Sequence, residues 1–230
     1  MSVFPWLPNL EKKRKRLLKR APEGPLRDFL AVPFPDPKTP INELDLLAVD
    51  FETTGLDPVN DKLLSVGMVD IKRLQIPLGT SFHQIIRTEA PLKAENVIIH
   101  QITDDAKDAG AALTQVVERL LEQLAGKAML AHYHRIEHEF LNQACLLLYN
   151  APIIFPIVDT LMIQKQQWDK GLLPYNPSQL RLSNLRDHYK LPHHKAHNAL
   201  TDAIATAELF LAQQATYNFD DLKDVRAGKL

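Results

Sequence analysis

Two carboxylates stand where carboxylates are hard to accommodate. If Leu46-Leu47-Ala48-Val49-Asp50-Phe51-Glu52 is a β-strand, Leu46, Ala48, Asp50 and Glu52 share one face and Leu47, Val49 and Phe51 the other. Apolar side chains on both faces mark a central strand covered on each side. Asp50 and Glu52 then project together from the end of a buried element, where they repel one another and lose hydration. A hard divalent cation such as Mg²⁺, which prefers oxygen ligands, would compensate. Opening into solvent at the strand end would compensate too, and the pair taken alone leaves both readings open.

A second constellation is His197 and Asp202. Five residues apart on a continuous helix they would be ~140° apart, so they cannot both face one site from inside it. Asn198 is a good N-cap, which starts the helix at Ala199. Asp202 is then held rigidly in the first turn, and His197 lies on the approach, where it reaches the site separately.

The elements that must position these groups follow from periodicity. Strands are expected at Leu46–Glu52, Leu63–Ile71, Ile76–Arg87, Ala128–Ala131 and Ile153–Val158. Leu113, Val116, Val117, Leu120, Leu121 and Leu124 trace one face of an amphipathic helix. Further helices are expected over Ile136–Leu148, Asp159–Trp168, Ser183–Tyr189 and Ala199–Thr216, with a loop over 169–180. Strands first, then alternating helices and strands, indicate an α/β layer with a mixed sheet.

Composition narrows the class. The 230 residues carry 27 Lys+Arg against 28 Asp+Glu, a formal net charge of −1, with 45% hydrophobic residues, as in an ordinary globular protein. Cys145 is the single cysteine, which excludes a disulfide scaffold, and its apolar surroundings make it a core residue. No apolar run approaches the ~18 residues of a membrane span, and none follows the early basic run as a secretory leader would require. A cytoplasmic protein without a membrane partner is expected. The charge is unevenly spread: residues 1–44 are net +4 and the rest net −5, and those 44 residues hold 8 of the 16 prolines. A basic, proline-rich arm over 1–44 is therefore set apart from a domain over 45–230. It is expected as a cationic helix near residues 9–20 and then an extended stretch to about Pro40, outside the packed core. The arm either wraps the domain as a solvated face or touches nucleic-acid phosphates.

Asp50-Phe51-Glu52-Thr53-Thr54-Gly55-Leu56 resembles the first motif of the DEDDh 3′–5′ exonucleases, the DnaQ-like and ribonuclease T-like superfamily. His197-Asn198-Ala199-Leu200-Thr201-Asp202 resembles the third motif, and Ala131-His132-Tyr133-His134-Arg135-Ile136-Glu137-His138-Glu139-Phe140-Leu141 more weakly the middle one. His100-Gln101-Ile102-Thr103 and Val158-Asp159-Thr160 are lesser matches. The resemblance implies a ribonuclease H-like fold, a mixed central sheet flanked by helices. It implies two divalent ions, Mg²⁺ or Mn²⁺, held by Asp50, Glu52, Glu137 and Asp202, which activate water and stabilise the leaving oxygen. His197 would be the general base, a role suited to a side chain that titrates near neutrality. Thr53 would contact the terminal 3′-hydroxyl, with Leu56, His100 and Ile136 walling the last nucleotide.

The middle motif departs from the family pattern His-Asn-x-x-Phe-Asp: Tyr133 stands for Asn, Ile136 for Phe and Glu137 for Asp. Glu137 keeps the charge and adds one methylene, which reads as a conservative ligand change. Six histidines fall into two clusters, His132, His134 and His138, and His193, His194 and His197, but their spacing lacks the definite fourth ligand of a zinc site. The substrate expected is a single-stranded 3′ end, DNA favoured over RNA, with nucleoside monophosphate as product, in repair or nucleotide turnover. An RNA-trimming, oligoribonuclease-type enzyme and a catalytically silent nucleic-acid-binding module are the competing readings. The short stretch after the last helix argues against a dedicated proofreading subunit, and no protein partner can be read from the chain.

Overall fold

The computed structural model describes residues 10–88 and 102–226. A five-stranded mixed sheet forms its centre, in the order β3-β2-β1-β4-β5: β1 (Leu46–Thr53), β2 (Leu63–Ile71), β3 (Phe82–Ile85), β4 (Ala128–Ala131) and β5 (Ile157–Asp159). The first three strands pair antiparallel, and β4 and β5 add in parallel beyond β1. Around the sheet lie α1 (Leu10–Leu18), α2 (Pro25–Ala31), α3 (Asp104–Asp108), α4 (Leu113–Leu124), α5 (Arg135–Tyr149), α6 (Thr160–Lys170), α7 (Leu182–His188), α8 (Ala199–Tyr217) and α9 (Leu222–Val225). This is the mixed sheet with flanking helices of the ribonuclease H-like fold.

The alternation along β1 sorts its side chains as the pattern requires. Leu47, Val49 and Phe51 join a core with Leu26 and Phe29 of α2, Leu120 and Leu121 of α4 and Leu141 of α5. Leu46 and Ala48 join the opposite core, with Ile163 of α6, Phe210 of α8 and Leu222 of α9. Asp50 and Glu52 thus lie on the α8 face. Cys145 is fully buried, as expected.

Two expected strands are shorter. Ile76–Arg87 contracts to Phe82–Ile85 because Pro77 leads into a 3₁₀ turn over Leu78–Thr80. Ile153–Val158 becomes Ile157–Asp159, since Pro156 has no N–H to give a ladder. The arm is corrected more substantially. Its cationic helix forms as α1, but the stretch beyond it is not extended: Pro25 takes the first turn of α2, where a missing N–H costs nothing. Leu26, Phe29, Leu30, Ile41 and Leu44 are buried, so this segment contributes to both cores. Apolar periodicity within the segment outweighs its proline content.

Arg14 joins α1 to α2. It is 4% exposed, donates to the Glu11 carboxylate at 2.7 and 2.5 Å, and donates to the Leu30 carbonyl.

Helix α8 reaches the sheet because of one glycine. Gly67 of β2 pairs with Asp50 of β1, and a Cβ there would lie 2.1 Å from the backbone of Ala199 and Leu200. No side chain fits between the strand and the first turn of α8. Gly67→Ala must displace that turn, so it is expected to lower the unfolding free energy by about 1–3 kcal/mol. The measurement is the urea midpoint at unchanged m-value; a wild-type midpoint would show that α8 shifts freely.

Candidate active site

The carboxyl ends of the parallel strands β1, β4 and β5 lie at one pole of the sheet, and the acidic side chains gather there. Asp50 and Glu52 come from β1, and Asp202 comes from the first turn of α8. One carboxylate oxygen from each lies within 4.8 Å of the others. Glu52 and Asp202 are buried and Asp50 is half-buried. Glu137 enters from the first turn of α5, directly after β4. It is 3% exposed, and its Oε2 is buried with no hydrogen-bond partner among the described residues.

These carboxylates disturb one another. Burial, and then the charges of Glu137, Asp202 and Glu52, raise the Asp50 carboxyl well above the usual range. Burial pushes Glu137 up to about 8; backbone hydrogen bonds at Glu137 and Phe51 oppose the shift, and the charges of Asp159 and Glu52 add to it. Several carboxylates held this close in a weakly solvated space are what a divalent cation neutralises. The donor set is all oxygen, and with the orphaned Glu137 Oε2 it fits a hard ion.

The loop before α8 orients Asp202. Asn198 caps the helix, its side chain accepting from Thr201 N at 3.1 Å, so Ala199 is the first helical residue, as the sequence predicts. Asp202 Oδ2 accepts from the backbone N–H of His197 at 2.7 Å and of Asn198 at 3.2 Å, and Oδ1 lies 2.9 Å from His194 Nε2. His197 has φ +67° and is exposed. Its backbone is tied to the acid while its residue as a whole stays open to solvent. His194 is a partner that sequence reasoning left in a histidine cluster; eight residues upstream of Asp202 in a loop, it carries no periodic signal.

The turn from β4 into α5 is built on Asp159. This residue is 1% exposed. Its carboxylate accepts from Tyr133 N at 3.2 Å and His134 N at 2.9 Å, lies 2.6 Å from His134 Nδ1, and caps α6 through Leu161 N and Met162 N. Burial would raise its carboxyl, but the His134 hydrogen bonds win and hold it below the usual range. Asp159, flagged in the sequence only as a lesser match, therefore fixes the turn that delivers Glu137. The histidines are used structurally: His134 on Asp159, His132 Nδ1 against Thr160 Oγ1 at 2.8 Å, and His138 against the Phe155 ring at 5.7 Å. Among the described residues, Asp50, Glu52 and Asp202 are the one group of three possible ligands whose atoms lie within 4.8 Å of one another, and neither histidine cluster brings its rings together in this way.

The remaining candidates are placed less decisively. Thr53 is buried and its hydroxyl donates to the Gly55 carbonyl at 2.7 Å. Leu56 is 75% exposed beside it in sequence. Ile136 packs partly buried against the α4–α5 core. His100 lies outside the described residues.

Comparison with known proteins follows the same outline. The RNase_T exonuclease family model matches residues 47–210. The chain is 30% identical over 163 residues to a DNA polymerase III subunit epsilon of Treponema pallidum, covering 71% of this chain and 73% of that one. It is 27% identical to a DNA polymerase III subunit epsilon-like protein of Rhodobacter capsulatus, covering 76% of this chain and only 24% of that longer protein. Among solved structures, cell-death related nuclease 4 superposes with a TM-score of 0.67 at 16% identity, over 76% of this chain and 65% of that one. Exonuclease X in complex with 5′ overhanging duplex DNA gives 0.61 at 18% identity, over 78% and 97%. No helix of the described residues is long and apolar enough to cross a membrane.

The raised carboxyls have a consequence for stability. Glu137 protonates at about pH 8 in the fold and near 4.5 as an unperturbed group. Between those values Glu137 is protonated in the folded state and ionised in the unfolded chain, so its contribution to stability falls as pH rises through that window. In EDTA the wild-type urea midpoint is expected to fall relative to that of Glu137→Gln as pH rises from about 4.5 to 8. The difference isolates Glu137 from His83, His132 and His138, whose pKa values, lowered by desolvation, act in the opposite sense below about 6.5. A difference between the two midpoints that does not change with pH would contradict the raised Glu137 carboxyl.

Proposed function

The chain belongs to the RNase_T exonuclease family, and from that premise we propose that it removes nucleoside monophosphates one at a time from single-stranded 3′ ends by metal-dependent hydrolysis, DNA being favoured over RNA. One observation carries this reading: Asp50, Glu52 and Asp202, brought from a strand and a helix far apart in sequence, present oxygens within 4.8 Å of one another. The names of the relatives, which refer to DNA polymerase III, support DNA as the substrate. Because the chain spans only about a quarter of the first of those relatives, the larger protein's role is not carried over; repair or nucleotide turnover is our proposal.

Asp50, Glu52, Glu137 and Asp202 are the residues that would hold two divalent ions, Mg²⁺ or Mn²⁺. When bound, such ions supply an acidified water and charge compensation for the departing oxygen. The protein's own groups do the rest. His197 accepts the proton that the attacking water gives up, from a loop whose backbone is fastened to Asp202. Thr53 meets the terminal 3′-hydroxyl, and Leu56 and Ile136 flank the last base. The phosphodiester then breaks on its 3′-oxygen side, that oxygen takes a proton from solvent, and a 5′-monophosphate leaves. Asn198 and His194 keep the Asp202 carboxylate oriented throughout, so turnover does not require the acid to be found again each cycle.

The decisive assay digests a 5′-labelled single-stranded DNA and its RNA twin with Mg²⁺, Mn²⁺ or EDTA. A metal-dependent ladder shortening from the 3′ end, faster on DNA and reduced by about 10²–10⁴ in His197→Ala and at least as much in Asp50→Ala, is expected. No ladder with retained binding would favour the silent module, with Glu137 and Tyr133 as its marks. Separately, His194→Ala should weaken Mn²⁺ binding by calorimetry about 10–100-fold, and His194→Gln, which keeps a donor, should recover part of it. Equal affinity in all three proteins would remove His194 from the site.

A further inference from the structure

The basic segment lies at the pole of the sheet opposite the carboxylates. The starts of β1, β4 and β5 adjoin one another, with Ala128 N bonded to Asp45 O at 3.4 Å and Met129 N to Pro156 O at 2.9 Å. At this same end a groove of about 800 Å³ runs between α1, the Pro33–Pro37 segment, Pro156 and α9. Lys12, Lys13 and Arg16 of α1 line it, Arg226 faces them, and Phe34 with neighbouring prolines gives an apolar floor. Two acids also line it, and both are engaged: Glu11 with Arg14 and Lys15, and Asp36 with the Lys38 backbone N–H at 2.8 Å. Arg14, buried and bonded to Leu30, holds α1 in place.

We propose that this groove binds the phosphate backbone of the substrate strand several nucleotides upstream of its 3′ end. The charge distribution favours a polyanion there: residues 1–44 are net +4, whereas the rest is net −5 and by itself repels nucleic acid. The distance sets the length of strand required. From Leu46 to Glu52 the strand rises ~20 Å, which a helical strand rising ~3.4 Å per nucleotide covers in about six nucleotides. A strand passing around the domain needs more. The groove therefore cannot hold the reacting nucleotide. It holds a longer strand while successive 3′ residues leave, and it gives long substrates an affinity that short ones lack. The choice of occupant rests on the exonuclease reading.

The test is fluorescence anisotropy in EDTA, so no hydrolysis is needed, with 5′-labelled oligothymidylates of about 4 and about 20 nucleotides. The native chain should bind the longer strand at least ~10-fold more tightly. In the combined variant Lys12→Gln, Lys13→Gln, Arg16→Gln that advantage should disappear, and the slope of log K against log salt should shrink by up to ~2, at about 0.7 per lost contact. If the combined variant melts early, Lys12→Glu alone, at an exposed position, should weaken long-strand binding in the same direction. Unchanged long-strand affinity and salt slope in a natively folded variant would overturn the proposal and leave the groove to an acidic protein. A chain that cuts but binds long and short strands equally overturns the groove alone. One that shows the length advantage but never cuts supports the groove and overturns the exonuclease reading.

Discussion

Mutual repulsion among carboxylates is the constraint around which this molecule is organised. Asp50 sits against Glu52, Glu137 and Asp202, and its carboxyl is raised by burial and by each of those charges. An unfolded chain would keep such groups apart in water, so the fold must force them together, and it does so from three directions. Strand β1 supplies two acids through its period of two, α8 supplies one because Gly67 lets its first turn touch the sheet, and α5 supplies Glu137 from over the end of β4. Such crowding is what a bound cation would relieve, and the all-oxygen donor set fits a hard ion.

Precision comes from the two turns that feed the acidic helices. In the turn into α5, Asp159 gathers two backbone N–H groups and the His134 ring. In the loop into α8, Asp202 itself gathers two backbone N–H groups and the His194 ring. Each turn holds a non-glycine residue in the left-handed region, Tyr133 at φ +66° and His197 at φ +67°. Histidine visits that region more readily than tyrosine, so the strain is greater at Tyr133. In both turns a buried or nearly buried carboxylate satisfies backbone donors that the distortion would otherwise leave without partners.

The N-terminal segment shows how charge and packing divide one stretch of chain. Leu26, Phe29 and Leu30 bury in the core on the α4 side of the sheet, while Lys12, Lys13 and Arg16 stay on the groove side of α1. Arg14 belongs to neither group. It is buried with its guanidinium satisfied by Glu11 and the Leu30 carbonyl, which makes a residue from a basic run part of the structural frame. A charge run in a sequence does not say which of its members will be solvated.

The sequence by itself determined the parts of this protein that depend on local repetition. Strand alternation put Asp50 and Glu52 on one face, a 3.6-residue stripe located α4, and Asn198 marked the start of α8 and hence the place of Asp202. Motif order made the family legible and pointed to Glu137 despite its altered type. Only the tertiary structure decided that Gly67 is where helix and sheet meet, that Asp159 and His194 hold the two turns, and that the basic helix lies across the sheet from the acids. Those facts are contacts and placements that no repeating spacing along the chain imposes, between residues far apart in sequence or, for His194 and Asp202, across an irregular loop. Spacing encodes what a residue's near neighbours impose, whereas close packing of a helix onto a strand depends on volumes that no local pattern records.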